Sequence, residues 1–253
     1  MVLVFELCSN FIIVNNRKIY NWALIAFVMG LKDTLMGIIL ASGIVVGAGC
    51  ANAKPWGKTS GYYDSRGMPT ASLTGGATDL PLGTQTFGFI DVATDKKELD
   101  NVQDPYMEIS LAKKVILEGF GEGVGKVFEK SVGPIVEYNR DFAQPRGITR
   151  LGLVFEPDVS QFADDTLVGI NLYPVATEDA GSQIVLYGSK QFNKGNWYIE
   201  GFFDYNTTPK KVVSEVQLGK RIWGNLNAVV EARHNGFLDE QWGVGIGLEF
   251  LLK

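Results

Sequence analysis

Several things that catalysis and metal binding rely on are scarce in this chain of 253 residues. There are two cysteines, Cys8 and Cys50, and both precede residue 54. The chain from Lys54 onward therefore has neither a disulfide framework nor a cysteine metal site. One histidine, His234, leaves no Ser–His pair at a plausible catalytic position. The Gly-rich run from Gly119 to Gly125 has neither the strand–loop–helix context nor the Lys-Ser/Thr of a phosphate-binding loop. No enzyme, cofactor or metal function is expected.

Positive charge is also short. The chain has 23 Lys and Arg against 28 Asp and Glu. Arg17, Lys18, Lys32, Glu6 and Asp33 lie in the first 53 residues, and without them 20 basic and 26 acidic residues remain, a balance of −6. A nucleic-acid partner would need a basic footprint, so none is expected. Only one region is apolar enough to suggest a membrane-spanning helix, and it too lies before residue 54.

What is present is alternation. In Gln241-Trp242-Gly243-Val244-Gly245-Ile246-Gly247-Leu248-Glu249-Phe250 every even position is large and apolar, and every odd one is Gly, Gln or Glu. Successive strand side chains point to opposite faces, so the segment has one apolar face and one polar or bare face. The three preceding segments repeat the pattern. Leu226, Ala228, Val230 and Ala232 oppose Asn227, Glu231 and Arg233; Ser214, Val216, Leu218 and Ile222 oppose Glu215, Gln217 and Arg221; Trp197, Ile199 and Phe203 oppose Tyr198, Glu200, Phe202 and Asp204. A soluble sandwich also alternates, but these strands run about ten residues and are joined by alternately tight and longer loops. The expected fold is all-β, an antiparallel transmembrane β-barrel facing outer-membrane lipid, which places the chain in the bacterial outer membrane.

Ten strands are expected, at about 84–92, 105–113, 132–142, 148–156, 166–175, 182–192, 196–206, 212–222, 225–235 and 241–251. Residues 54–83, rich in Gly, Ser, Thr and Pro, read as an extended lead-in with one short strand at Thr70 to Gly75. If the lead-in supplies two strands the count is twelve. Residues 113–131 fit a long turn, a short helix or a broken hairpin. The barrel proper then covers 84–253.

Residues 1–53 read as an upstream extension and an export signal. From Met29 a short start with Lys32 leads into the apolar stretch Met36 to Val46, and small residues end at Ala51-Asn52-Ala53. Residues 1–28 have no part in such a signal, which points to a start at Met29 or Met36. A lipidated Cys50, or an uncleaved anchor over 22–49, are the rival readings.

The middle of the chain carries a resemblance. Tyr106-Met107-Glu108-Ile109, then Gly133-Pro134-Ile135-Val136-Glu137-Tyr138, preceded by Thr86-Phe87-Gly88-Phe89-Ile90-Asp91, resembles the Tsx-like family of nucleoside-specific channel-forming outer-membrane proteins. It departs from the family where Ser110-Leu111-Ala112-Lys113 replaces the usual Pro-Arg, and the next connection is longer. The resemblance implies a nucleoside channel with Glu108 and Glu137 as polar groups of the lumen. Parity agrees, because Met107, Ile109 and Leu111 share the other face of their strand, as do Val136, Tyr138 and Phe142 of theirs.

Arg150, Arg221 and Arg233 have inward parity and can neutralise such carboxylates. Tyr198 and Phe202 alternate with Glu200 and Asp204 on the lumen face, a mixture that suits a base-and-ribose ligand. Glu215 and Glu231 complete the inward set. Each of these residues could equally be structural filling, a Glu packed against an Arg. Trp197, Trp223, Trp242, Tyr173 and Tyr205 fall where interfacial belts occur, and His234 has the parity of the lipid face.

Two functions follow. One is a passive channel for small hydrophilic solutes, nucleosides among them; the other is a closed structural or adhesive barrel. Ten strands leave an interior that side chains can largely fill, and twelve leave room for a narrow path. N-terminal sequencing of protein from outer membranes should find Lys54 first; residues 1–28 still attached, or a lipid on Cys50, would contradict the cleavage site.

Overall fold

The computed structural model describes residues 54–65, 69–80, 83–93, 105–113, 132–160 and 162–252. Residues 1–53, where the export signal is expected, and residues 114–131 lie outside them. The described residues form twelve strands: β1 (Lys54–Asp64), β2 (Pro69–Leu80), β3 (Thr84–Ala93), β4 (Tyr106–Lys113), β5 (Val132–Asp141), β6 (Ile148–Phe155), β7 (Thr166–Ala176), β8 (Gln183–Phe192), β9 (Trp197–Asn206), β10 (Lys211–Trp223), β11 (Leu226–Asn235) and β12 (Trp242–Leu252). Each pairs antiparallel with its neighbours in sequence, and β1 closes the ring on β12. The closing register runs from Gly57 opposite Leu252 to Asp64 opposite Gly245. Closure leaves no edge strand, so the ladders can satisfy the backbone without water.

The ten expected strands are present, each within one residue at either end. The count of ten is corrected to twelve. Residues 54–80, read as a lead-in, form β1 and β2, and the short strand expected at Thr70 to Gly75 is the middle of β2. Their composition hid them. Ser60 faces Ser72, and Gly57 faces Gly75, so both faces carry small residues and the polarity contrast that marks β12 is weak.

Where contrast exists, it maps onto the barrel wall. On β12 the outward Val244, Ile246 and Leu248 are 56, 64 and 53 % exposed, while the inward Glu249 is 1 % exposed. Val216, Leu218, Ile222 and Val230 are likewise exposed on the outer face of β10 and β11. This belt meets lipid, and the polar residues turn inside. Trp197, Trp223 and Trp242 are on or beside it, with the Lys220 ammonium 4.9 Å from the Trp197 ring and His234 edge-on to Trp242 at 4.6 Å. Tyr173 is a correction. It is 1 % exposed and points inward, packed with Ala112, Ile135, Val154 and Val185 on the inner side of β4 to β8.

The alternation of tight and longer connections is confined to β8 through β12. There the connections 193–196 and 207–210 are four residues each, and only 224–225, with two residues, and 236–241, with six, differ as expected. Gly195 and Gly224 take positive φ of 76° and 51° in the turns 193–196 and 224–225. Between β6 and β7, at the same end as those turns, the connection 156–165 is long.

Glycine also shapes the inner wall. Tyr62 lies opposite Gly247, Tyr187 opposite Gly169 and Tyr198 opposite Gly219. A Cβ on any of these glycines would collide with the tyrosine ring, so each ring lies flat over its neighbour's backbone. Gly219→Ala should lower the stability of the folded barrel by about 1–3 kcal/mol through overpacking. Gly61→Ala, where a Cβ meets nothing within 4 Å, should not. Urea unfolding followed by loss of the heat-modifiable gel band reads the difference.

Candidate functional site: the lumen

Two polar networks occupy the lumen. In the first, Arg150 on β6 donates from Nη1 to Glu137 Oε1 at 3.1 Å and from Nη2 to Asn206 Oδ1 at 3.3 Å, and Asn139 Nδ2 donates to Glu137 at 3.2 Å. Arg150 and Glu137 are 5 and 3 % exposed. Asp204 accepts from the side-chain amides of Gln183 and Asn206. Glu108 accepts a long bond, 3.4 Å, from the Tyr106 hydroxyl.

The second network is built on β9 to β12 and β1. Lys58 forms an ion pair with Glu200 and another with Glu249 at 2.9 Å. Glu249 also accepts from the Tyr198 hydroxyl and from Asn227 Nδ2, both at 2.9 Å. Gln217 Nε2 donates to the Tyr62 hydroxyl at 2.6 Å. Arg233 pairs with Glu215 at 2.7 Å and Glu231 at 3.4 Å. The Ser72 hydroxyl donates to Asp91 on the neighbouring strand.

A third feature is aromatic. Trp56, Phe87, Phe89 and Tyr106 follow one another along the inner face of β1, β3 and β4, with ring centroids 6.0, 6.1 and 5.7 Å apart. The register explains the first contact, since Trp56 and Phe87 both lie opposite Gly76 of the strand between them. With no side chain there, the rings meet across β2. The run starts near the barrel end that holds Lys54 and finishes at Tyr106, where β4 leaves the opposite end. Trp56 and Phe87 point inward yet are 39 and 38 % exposed, so they face open space inside the barrel. Phe202, on β9 halfway round the ring, is also inward and exposed.

Among solved structures the chain is similar to the KdgM porin, with a TM-score of 0.52, 14 % identity, and coverage of 78 % of this chain and 99 % of that one. A second KdgM porin structure, in complex with disordered oligogalacturonate, gives a TM-score of 0.50 at the same identity and coverage. A mutant of the Rh. blastica porin aligns at a TM-score of 0.39 and 10 % identity over 79 % of this chain and all of that one. The barrel has the fold of an outer-membrane porin. That fold, with its lipid-facing belt, places the chain in the bacterial outer membrane. No family model and no curated protein matches the chain.

The structure brings together most of the inward residues expected from sequence, in two groups. Glu108, Glu137, Arg150 and Asp204 belong to the first network, and Tyr198, Glu200, Glu215, Glu231 and Arg233 to the second. Phe202 stands apart facing open lumen. Arg221 is exposed at the end of β10, where the pairing with β11 shifts register. Sequence reasoning missed Lys58, Tyr62 and Ser72, which sat in the supposed lead-in. It missed Glu249 and Gln217 as partners although their parity was legible, and it missed the aromatic run, whose ring contacts depend on the registers among β1, β2, β3 and β4.

Proposed function

We propose that this chain is an outer-membrane channel for passive diffusion of small hydrophilic solutes with a flat ring face, nucleosides being the case that the Tsx-like sequence resemblance names. The aromatic run carries this reading. A base or sugar ring stacks on each side chain in turn, at about 1–3 kcal/mol per base, and successive weak sites let a solute enter and leave. Glu108 beside Tyr106, and Asp91 near the end of β3, offer acceptors for ribose hydroxyls along the same wall. Among the described residues, inward carboxylates outnumber inward cations such as Lys58, Arg150 and Arg233. Such a lumen favours neutral and cationic solutes. Oligogalacturonate, the ligand of the KdgM complex, carries a carboxylate on each sugar and would be repelled by such a lumen.

One observation favours the second reading, a closed structural or adhesive barrel. Glu137, Arg150, Gln217, Glu231 and Glu249 are all 5 % exposed or less, so much of the interior is filled. Ion current through purified protein in planar bilayers separates the two readings. The channel reading expects a steady conductance that adenosine reduces, and Phe87→Ala should raise the half-blocking concentration about tenfold, the loss of about 1.4 kcal/mol of stacking. No current, together with no solute flux into liposomes, would leave the structural reading.

A further inference from the structure

We propose that Lys58 sets the ion selectivity and the width of the lumen, acting as a tethered ammonium that occupies the carboxylate pair Glu200 and Glu249. The inference rests on the channel reading. Lys58 is on β1 and Glu200 on β9, with β10, β11 and β12 between them around the ring. The Lys58 side chain therefore leaves the wall and spans a chord of the barrel. In the sector that this chord cuts off, the Tyr198 hydroxyl contacts Gln217 Oε1 and Glu249, Gln217 Nε2 donates to the Tyr62 hydroxyl, and Asn227 Nδ2 donates to Glu249.

The two carboxylates differ in what holds them. Glu249 is 1 % exposed, and two neutral donors, Tyr198 and Asn227, fix it in addition to Lys58. The Glu200 side chain is 35 % exposed, on the open side of the chord. Lys58 thus neutralises a carboxylate that a passing cation could reach. Two further inward cations are committed elsewhere, Arg150 to Glu137 and Arg233 to Glu215 and Glu231. Without the ammonium, Glu200 would meet lumen water as a bare charge at the edge of the path. The chord would also be gone, and both changes push the same way, toward a wider and more cation-selective pore.

The test compares single-channel currents of the parental barrel, Lys58→Met, Lys58→Gln and Lys58→Arg. Met keeps most of the stem and removes the charge, Gln is a second neutral variant should Met fail to assemble, and Arg keeps the charge. The heat-modifiable gel band confirms folding for each. A neutral variant should raise conductance about twofold or more and move the reversal potential in a salt gradient toward that of the cation. The selectivity change should be clear at 0.1 M salt and shrink at 1 M, where the Debye length falls from about 10 to about 3 Å. Lys58→Arg should stay close to the parental barrel. Adding Glu200→Gln to Lys58→Met should reverse the gain in selectivity and keep the gain in conductance. A parental barrel that conducts, with both neutral variants matching it in conductance and reversal potential, overturns the role of Lys58 and leaves the channel reading standing. Silence from the parental barrel and both neutral variants ends the channel reading and this proposal together, whereas current from a neutral variant alone supports Lys58 as the residue that closes the path.

Discussion

Every N–H and C=O inside a bilayer must find a partner in the protein, and the rest of this molecule depends on how that is met. A sheet satisfies the requirement only when it has no edge, which makes the pairing of β1 with β12 the decisive contact of the fold. Once the ring is closed, the two-residue period of a strand sorts the sequence without further instruction. Val244, Ile246 and Leu248 go to lipid, and Glu249 goes to the interior, where other strands supply Lys58, Asn227 and the Tyr198 hydroxyl. Charged groups pointing the other way would be unfavourable by about 2–4 kcal/mol near the midplane.

Turning polar residues inward creates a second requirement, since charges removed from water need partners. The two networks meet it with few cations. Arg150 serves Glu137 and Asn206, Arg233 serves Glu215 and Glu231, and Lys58 serves Glu200 and Glu249. Breaking such a buried pair by removing one partner costs more than the pair contributes, so these groups order the interior whatever passes through it. Apolar packing fills another sector, where Tyr173 and Val154 close over the inner side of β4 to β8. Trp56 and Phe87 of the aromatic run, with Phe202 across the ring, face open space. Filling and path are thus two outcomes of one arrangement, divided by which strands carry long polar chains and which carry rings set beside glycine.

Much of this was legible in the sequence, and the limits have physical causes. Strands β3 to β12 were readable to within a residue, most clearly β9 to β12, where large apolar side chains alternate with charged, polar or bare positions. β1 and β2 were not, since Gly57, Gly61, Gly75 and Gly76 blur the period of two. That omission hid Lys58, and with it the partner of Glu200 and Glu249. Parity placed Glu137 and Arg150 on the inner wall, but it cannot report the register that sets them opposite one another on β5 and β6. Tyr173 was misplaced for a related reason: its nearness to a strand end suggested the interface, whereas its odd position on β7, level with Gln183 of β8, turns it inward. The contact of Trp56 with Phe87 depends on two registers meeting at Gly76, which no single strand reveals.

The central claim, a solute path along the aromatic wall beside a packed sector, can be read with cysteines, because the chain from Lys54 onward contains none. Single substitutions Phe87→Cys, Ile135→Cys and Val244→Cys would be placed in bilayers and exposed to a membrane-impermeant charged thiol reagent while current is recorded. The account predicts rapid modification and a stepwise loss of current at residue 87, and no change at the packed residue 135 or the lipid-facing residue 244. Current unaffected by modification at 87, or equal effects at all three positions, would contradict it.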